Sequence, residues 1–408
     1  MAAGAVDREP FLPSLGGFAR RTPGHHANRG NAAAMMRHDS IAAAIQDVLD
    51  LHRDRLALLA GIDRPKIGYL SIQTPEEILL AAGAIPFRLT GEYSTETDGA
   101  SVHLGSNYCS YVLSCFGEGL AGVYSFADAV VFVDACDMRK RLWETWARTV
   151  PGCESWFLEL PNDASPLSKS FFAGQLRKLI SRLEQRYGRP IGEGALRDGI
   201  ARCNRTRELM QRLHDGNKRG GPLLTGQQSI DLVKAATTGL KDEFNDRLAA
   251  LLDSAASQQP RAGRQRHRVL ICGSYFDQPA IVEVIEATGA DIVCGDISNG
   301  VKYFEGQIDA DAEPVAAIAD YYLEKHTSAR CIDTDIRVRH LFDLVRDYRV
   351  ESVIYFALKF CDTNLHDYPY IKEKLREIPV LFIEGEHNGS NIASIKTRIE
   401  TFLEPRFF

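Results

Sequence analysis

Nine cysteines are the residues of this 408-residue chain whose chemistry most needs an explanation. Their number is odd, and no secretory signal is recognisable ahead of them. We therefore expect a cytoplasmic protein, and disulfides are rare in that compartment. Each cysteine is then a small core residue, a metal ligand or a nucleophile.

Three cysteines stand where the expected elements favour chemistry. Cys136 follows the apolar run VVFV and Cys361 follows VIYFA, so each is expected at the end of a buried strand. Ligands of doubly wound sheets bind beyond the carboxyl ends of the strands. Cys109 lies at a loop or helix start, where free backbone N–H groups favour a thiolate. Spacing alone leaves two interpretations, a metal cluster held across a domain cleft or three unrelated core cysteines.

The remaining cysteines carry less weight. Cys115 follows Cys109 on the same expected helix and is the best candidate for an additional cluster contact. Cys272 and Cys294 end expected strands, and we interpret both as core residues. The sequence contains no CxxC pair, so zinc ribbons and ordinary ferredoxin sites are not indicated. Three further cysteines have no partner suggested by the sequence: Cys153, Cys203 and Cys331.

Histidines and carboxylates near the same strand ends offer acid–base groups. His103, His366 and His387 lie in expected loops, where a surface or hydrogen-bonding role is the favoured interpretation. Asp137 and Asp362 each follow a candidate cysteine, and we interpret them as helix caps. No catalytic residue is identified from the sequence.

Strands alternate with helices on both sides of a long helical stretch. This order predicts an α/β fold with two doubly wound parallel-sheet domains joined by a helical segment. The expected divisions are a disordered N-terminal extension over 1–38, an N-terminal α/β domain over 39–167, a helical connector over 168–260 and a C-terminal α/β domain over 261–408. Glu76 and Glu77 are expected at a helix start, where the helix dipole favours negative charge.

Composition excludes several classes of protein. The chain is 45% hydrophobic and 25% charged, as a protein with a substantial core requires. Its net charge of −6 argues against a nucleic-acid partner, because phosphate binding requires a basic excess. No apolar run approaches the roughly 18–20 residues of a membrane span, so no membrane association is expected.

Longer motifs resemble a known family. They are IGYLSIQTPEEILLAAGAIPFRLTG, NYCSYVLSCFGEGLAG and DAVVFVDACDMRKRLWETW in the first half, and RVLICGSYFDQPAIVEVIEATGADIVCGD, VIYFALKFCD and PVLFIEGEHNGSNIASIKTRIETFLE in the second. Together they are similar to the 2-hydroxyacyl-CoA dehydratase D-component family, which includes benzoyl-CoA reductase subunits. The resemblance covers about residues 66–404.

The resemblance implies an oxygen-sensitive iron–sulfur subunit with a [4Fe–4S] cluster. Three cysteines hold the cluster in such proteins, and the matching positions here are Cys109, Cys136 and Cys361. The implied enzyme is a 2-hydroxyacyl-CoA dehydratase, a lyase, or an aryl-CoA reductase, an oxidoreductase. It applies low-potential single electrons to an acyl-CoA substrate. Implied partners are a related second subunit and an ATP-dependent iron–sulfur activator protein. The alternative is a non-catalytic, cluster-carrying or scaffolding partner of a paralogous catalytic subunit.

Overall fold

A computed structural model describes residues 29–93, 98–256, 266–325, 331–387, 389 and 392–404. The chain divides into two units, Met1–Ser40 and Ile41–Phe408. In the first unit, residues 1–28 of the predicted extension lie outside the described residues, and helix α1 (Arg29–Arg53) begins at Arg29. The second unit contains every strand of the described residues.

The second unit contains two parallel four-stranded sheets, as predicted. The first sheet has the order β2-β1-β3-β4 and the second has the order β6-β5-β7-β8. The strands are β1 (Lys66–Tyr69), β2 (Ile85–Arg88), β3 (Ala129–Val133), β4 (Glu154–Leu158), β5 (His267–Gly273), β6 (Ala290–Asp296), β7 (Ser352–Leu358) and β8 (Val380–Gly385).

Helices flank both sheets and fill the connections between strands. All helices of the described residues after α1 are α2 (Arg55–Gly61), α3 (Glu76–Ala81), α4 (Asp98–Leu104), α5 (Ser110–Leu120), α6 (Asp137–Thr149), α7 (Pro166–Tyr187), α8 (Glu193–Arg219), α9 (Gly226–Ala236), α10 (Lys241–Ala256), α11 (Pro279–Ala287), α12 (Val301–Phe304), α13 (Pro314–Glu324), α14 (Thr334–Asp347), α15 (Asp362–Lys374) and α16 (Ile392–Leu403). Helices α7 to α10 correspond to the expected helical segment. The four predicted divisions of the chain stay predictions.

The two sheets have the same topology, and this topology indicates where a ligand is expected to bind in each. In each sheet the chain runs from a central strand to one side and then returns to the other side, so connections diverge between β1 and β3 and between β5 and β7. Strands β3 and β7 are buried along their whole length, as expected for parallel strands covered on both faces. Ligand sites of such sheets lie where the connections diverge.

Direct contacts join the carboxyl ends of the two sheets. Arg88, at the end of β2, donates from Nη1 to the carbonyl of Ser298, beyond β6, at 2.7 Å. The Tyr111 ring in α5 stacks on the Tyr275 ring beyond β5, with centroids 4.2 Å apart. One hydrophobic core contains residues of both sheets, so the two halves share a packed interface.

Helix α8 of the helical segment packs tightly on α3 of the first sheet. A Cβ atom on Gly199 would lie 2.3 Å from the Glu77 carbonyl oxygen, so this contact requires glycine. Glu77 is buried there and pairs with Arg207, and Glu76 pairs with Lys241 at 3.0 Å. Both carboxylates lie in the first turn of α3, as predicted, but each also forms a buried ion pair.

None of the helices within the described ranges is long and apolar enough to cross a membrane.

Candidate metal centre

Cys109 lies immediately before helix α5 and is 7% exposed. Its backbone adopts an extended conformation, and its carbonyl accepts hydrogen bonds from the N–H groups of Val112 and Leu113. Its own N–H donates to the Sδ atom of Met138 at 3.3 Å, which ties the start of α5 to the start of α6. Cys109 is therefore at a helix start, as the sequence indicated.

Cys136 and Cys361 lie immediately before helices α6 and α15, beyond the ends of β3 and β7. Both are half-buried, and each is the N-cap residue of its helix. The interpretation of Asp137 and Asp362 as caps is therefore wrong by one residue. Both carboxylates are instead exposed in the first turn of their helices, where their negative charge interacts favourably with the helix dipole.

The three predicted thiols lie close enough for the charge of one to affect the pKa of another. Burial raises the pKa of Cys109, and Cys361 and Cys136 raise it further because negative charges repel. Burial also raises the pKa of Cys136, where Arg139 opposes the rise and Cys361 adds to it. The fold thus brings together residues from both sheets that are distant in the sequence.

The three thiols do not form a compact site for one ion. Across the part of the chain that the structure describes, no three His, Cys, Asp or Glu side chains are grouped closely enough to hold one metal ion. The arrangement therefore differs from a closed structural zinc site, in which every ligand contacts one ion.

Two polar side chains beside these thiols were missed by the sequence analysis. Asn364 donates from Nδ2 to the Cys361 Sγ atom at 3.2 Å. The positive charge of Arg139 opposes the rise in the pKa values of Cys109 and Cys136, and its Nη1 donates to Ser71 Oγ at 3.0 Å. Each is the third residue after its cysteine, in the first turn of the helix that the cysteine precedes. That spacing was a usable signal.

The other cysteines have different surroundings. Cys115 is fully buried in α5; burial raises its pKa, and Glu118 is the charge that adds most to the rise. Cys272 and Cys294 are buried in a hydrophobic core beside Asp296, which agrees with their interpretation as core residues. No disulfide joins any of the nine cysteines, all of which are described residues. The remaining three have contacts elsewhere: Cys153 with the Glu154 carbonyl, Cys203 near Glu77, and Cys331 through its carbonyl with Arg337.

His387 is the one of the three predicted histidines that lies in the packed interface between the sheets, where its ring contacts those of Tyr111 and Tyr275. Its backbone N–H donates to Ser110 Oγ at 2.6 Å, and its Nε2 lies 3.0 Å from the Gly91 carbonyl oxygen. Burial lowers its pKa, so the ring is neutral near pH 7. His103 and His366 lie in helices α4 and α15 and not in loops as expected, but both are exposed, which agrees with a surface role. His387 is therefore a buried hydrogen-bonding residue, as the favoured interpretation stated.

Comparisons with known proteins match most of this chain. The family model described as 2-hydroxyglutaryl-CoA dehydratase, D-component, matches residues 71–405, which include the three cysteines. A protein of Escherichia coli strain K12 that carries the name of a dehydratase subunit is 28% identical over 353 residues, 83% of this chain and 91% of that protein.

Two further relatives carry more specific names. The (R)-phenyllactyl-CoA dehydratase beta subunit of Clostridium sporogenes is 24% identical over 341 residues, 83% of this chain and 91% of that protein. A benzoyl-CoA reductase subunit of Thauera aromatica is 26% identical over 374 residues, 88% of this chain and 96% of that protein. The predicted resemblance is confirmed, and the chain belongs to the 2-hydroxyglutaryl-CoA dehydratase D-component family.

Proposed function

We propose that this chain is the iron–sulfur subunit of an activator-dependent 2-hydroxyacyl-CoA dehydratase or benzoyl-CoA reductase-type enzyme. Cys109, Cys136 and Cys361 hold its [4Fe–4S] cluster. One observation carries the proposal. Three thiols at the starts of three helices, which belong to the two different sheets, lie close enough to affect one another's pKa values.

The donor set fits such a group. Thiolates are the usual ligands of iron–sulfur clusters, and each of these three stands at a helix N-terminus, where the dipole favours negative charge. Arg139 adds a positive charge nearby, and Asn364 donates a hydrogen bond to the Cys361 sulfur. Hydrogen bonds to sulfur and nearby charge are the means by which a protein sets the potential of a cluster.

A cluster does not require its thiol ligands to converge on one metal ion. Ligands of a cluster bind different irons, so they stand further apart than the ligands of one ion. No single-ion site is formed by these residues within the described chain. When bound, a [4Fe–4S] cluster supplies single electrons at low potential.

The cleft residues have roles that follow from their contacts. Cys136 and Cys361 come from different sheets, so their shared ligand would clamp the two halves together. Arg88, Tyr111 and Tyr275 are buried where the two sheets meet, and they exclude water from that interface. Exclusion of water and orientation of the cofactor are the protein's contribution to this kind of chemistry.

Substrate and partners follow from the names of the relatives. Two relatives are named for acyl-CoA compounds, and their names designate one subunit of a larger enzyme. We therefore propose a CoA thioester as substrate, a related second subunit as partner, and an ATP-dependent iron–sulfur activator as electron source. Binding of phenyllactyl-CoA or benzoyl-CoA by this chain, and not by its partner alone, would distinguish a catalytic subunit from a scaffolding one.

Anaerobic reconstitution with iron and sulfide tests the proposal. We expect about four irons per chain, a broad visible absorbance, and an EPR signal after reduction. Co-expression with a paralogous subunit should yield a stable complex. A chain that takes up no iron under these conditions would refute the cluster, and a chain that remains monomeric beside every paralogue would refute the partner.

A further inference from the structure

Phe360, the residue before Cys361, has an unusual backbone. Its φ is +62°, in the left-handed region that bulky side chains rarely adopt. It is the third residue of a turn that is closed by a hydrogen bond from the Cys361 N–H to the Leu358 carbonyl at 3.0 Å. Glycine or asparagine is the ordinary residue at such a position. The backbone therefore gives no reason for a phenylalanine here.

Contacts from both sides impose this turn. The Leu358 N–H donates to Ser274 Oγ at 3.2 Å, and the Lys359 N–H donates to the Gly385 carbonyl at 2.9 Å. The Lys359 side chain also pairs with Glu386 at 2.7 Å. A strained conformation persists where its surroundings determine it in this way, and such residues cluster at functional sites.

Burial in the core does not explain the presence of phenylalanine at position 360 either. Phe360 is 44% exposed, so much of its ring contacts solvent. Among the three thiol residues, Cys109 is buried, whereas Cys136 and Cys361 are half-buried. Solvent therefore reaches this group from the side of Cys136 and Cys361, and Phe360 directly precedes Cys361 in the chain.

We propose that the Phe360 ring screens the Cys361 thiol, and any cluster bound to it, from water and oxidants. The apolar surroundings of a metal site control solvent access and thereby its reactivity. Screening of the cluster rests on the proposed function, whereas screening of the thiol does not. Phe360 thus changes the reactivity of Cys361 and is not itself a ligand of the cluster.

Alkylation of the metal-free protein tests the screening of the thiol. Peptide mass spectrometry follows modification of Cys361 by iodoacetamide in the wild type, Phe360→Gly and Phe360→Ala. We expect several-fold faster modification in both variants, because each lacks the ring. Cys331, also half-buried, is the internal reference and should react at an unchanged rate. Wild-type rates at Cys361 in Phe360→Gly would overturn the proposal.

Two controls separate screening from unfolding. Glycine suits the left-handed backbone, so Phe360→Gly should melt at or above the wild-type temperature. Phe342→Ala removes an aromatic ring that is 42% exposed on α14, and it should leave Cys361 reactivity unchanged. Equal acceleration by Phe342→Ala would show a general loosening and would overturn the proposal.

The reconstituted full-length chain provides the second readout. Absorbance in air-saturated buffer should decay several-fold faster in Phe360→Gly than in the wild type, at equal initial iron content. Equal decay rates would overturn screening of the cluster. Failure of the wild type to take up iron would instead refute the proposed function, while the alkylation result would still decide whether the ring covers Cys361.

Discussion

Cys136 and Cys361 occupy equivalent positions in the two sheets. Each is the N-cap of the helix that follows the third strand of its sheet in chain order, and each is followed by an exposed aspartate. The third residues after them, Arg139 and Asn364, differ in charge. Repeated topology thus brings two thiols near each other with different electrostatic surroundings, and Cys109 is the ligand candidate without such an equivalent.

We predict that the three candidate ligands are needed for iron and that other cysteines are not. Cys109→Ser, Cys136→Ser and Cys361→Ser should each lower iron and sulfide content and bleach the visible absorbance, because serine is a poor ligand for iron. Cys153→Ser and Cys203→Ser are the matched controls and should keep full iron content.

Anaerobic purification followed by iron analysis and EPR measures these outcomes. A full cluster in Cys136→Ser or Cys361→Ser would contradict the ligand assignment. The buried thiol of Cys115 would then be the next candidate to replace.

Arg88 should be important for the stability of the interface between the sheets. It is 2% exposed, its Nε donates to the Leu70 carbonyl at 3.2 Å, and its guanidinium lies over the Tyr275 ring. Arg88→Ala would remove the hydrogen bonds to the Leu70 and Ser298 carbonyls and the packing of a buried side chain, so we expect a loss of about 3 kcal/mol in the free energy of unfolding by urea. Arg346→Ala, at a side chain that is 71% exposed, should change it by less than about 0.5 kcal/mol. Equal effects would show that Arg88 has no special role.

Two glycines of α8 should respond to alanine with opposite signs. A Cβ atom on Gly199 would lie 2.3 Å from a backbone oxygen of Glu77. A Cβ atom on Gly216 would have no neighbouring atom within 4 Å. We expect Gly199→Ala to destabilise the protein by about 2 kcal/mol, since α8 must move away from α3. Gly216→Ala should stabilise it by up to about 1 kcal/mol through helix propensity. Urea denaturation measures both, and a stabilising Gly199→Ala would disprove the close contact.

His214 should make stability depend on pH. Burial lowers its pKa from 6.5 to about 4, against a smaller opposing effect of Asp215. His214 therefore binds a proton less readily in the folded state than in the unfolded state. Its contribution to the free energy of unfolding is fully present above pH 6.5 and is lost as the pH falls from 6.5 towards 4. Complete loss corresponds to about 3 kcal/mol, as an upper bound.

The variant His214→Gln isolates this contribution, because its side chain does not titrate. Between pH 7 and pH 5 the variant should lose less unfolding free energy than the wild type, whatever its stability at pH 7. Parallel losses in both proteins would contradict the lowered pKa.

The sequence by itself determined the α/β class, the two parallel sheets and the family. Apolar runs such as VVFV and VIYFA alternate with amphipathic helices, and that pattern is local. It also put Cys136 and Cys361 at strand ends, since the carboxyl end of a strand can be read from neighbouring residues. The helix start at Cys109 was equally visible, because the residues that form α5 follow it directly.

Only the tertiary structure decided which of these residues meet. The proximity of Cys361 to Cys109 and Cys136 depends on how the two sheets face each other, and contacts between distant segments, such as Arg88 with Ser298, set that arrangement. Likewise, Glu76 and Glu77 read as helix-start residues, but the packing of α8 and α10 surrounds them with Arg207 and Lys241. Side-chain pairing over such distances along the chain leaves no periodic signal, because it depends on which distant elements pack together and not on neighbouring residues.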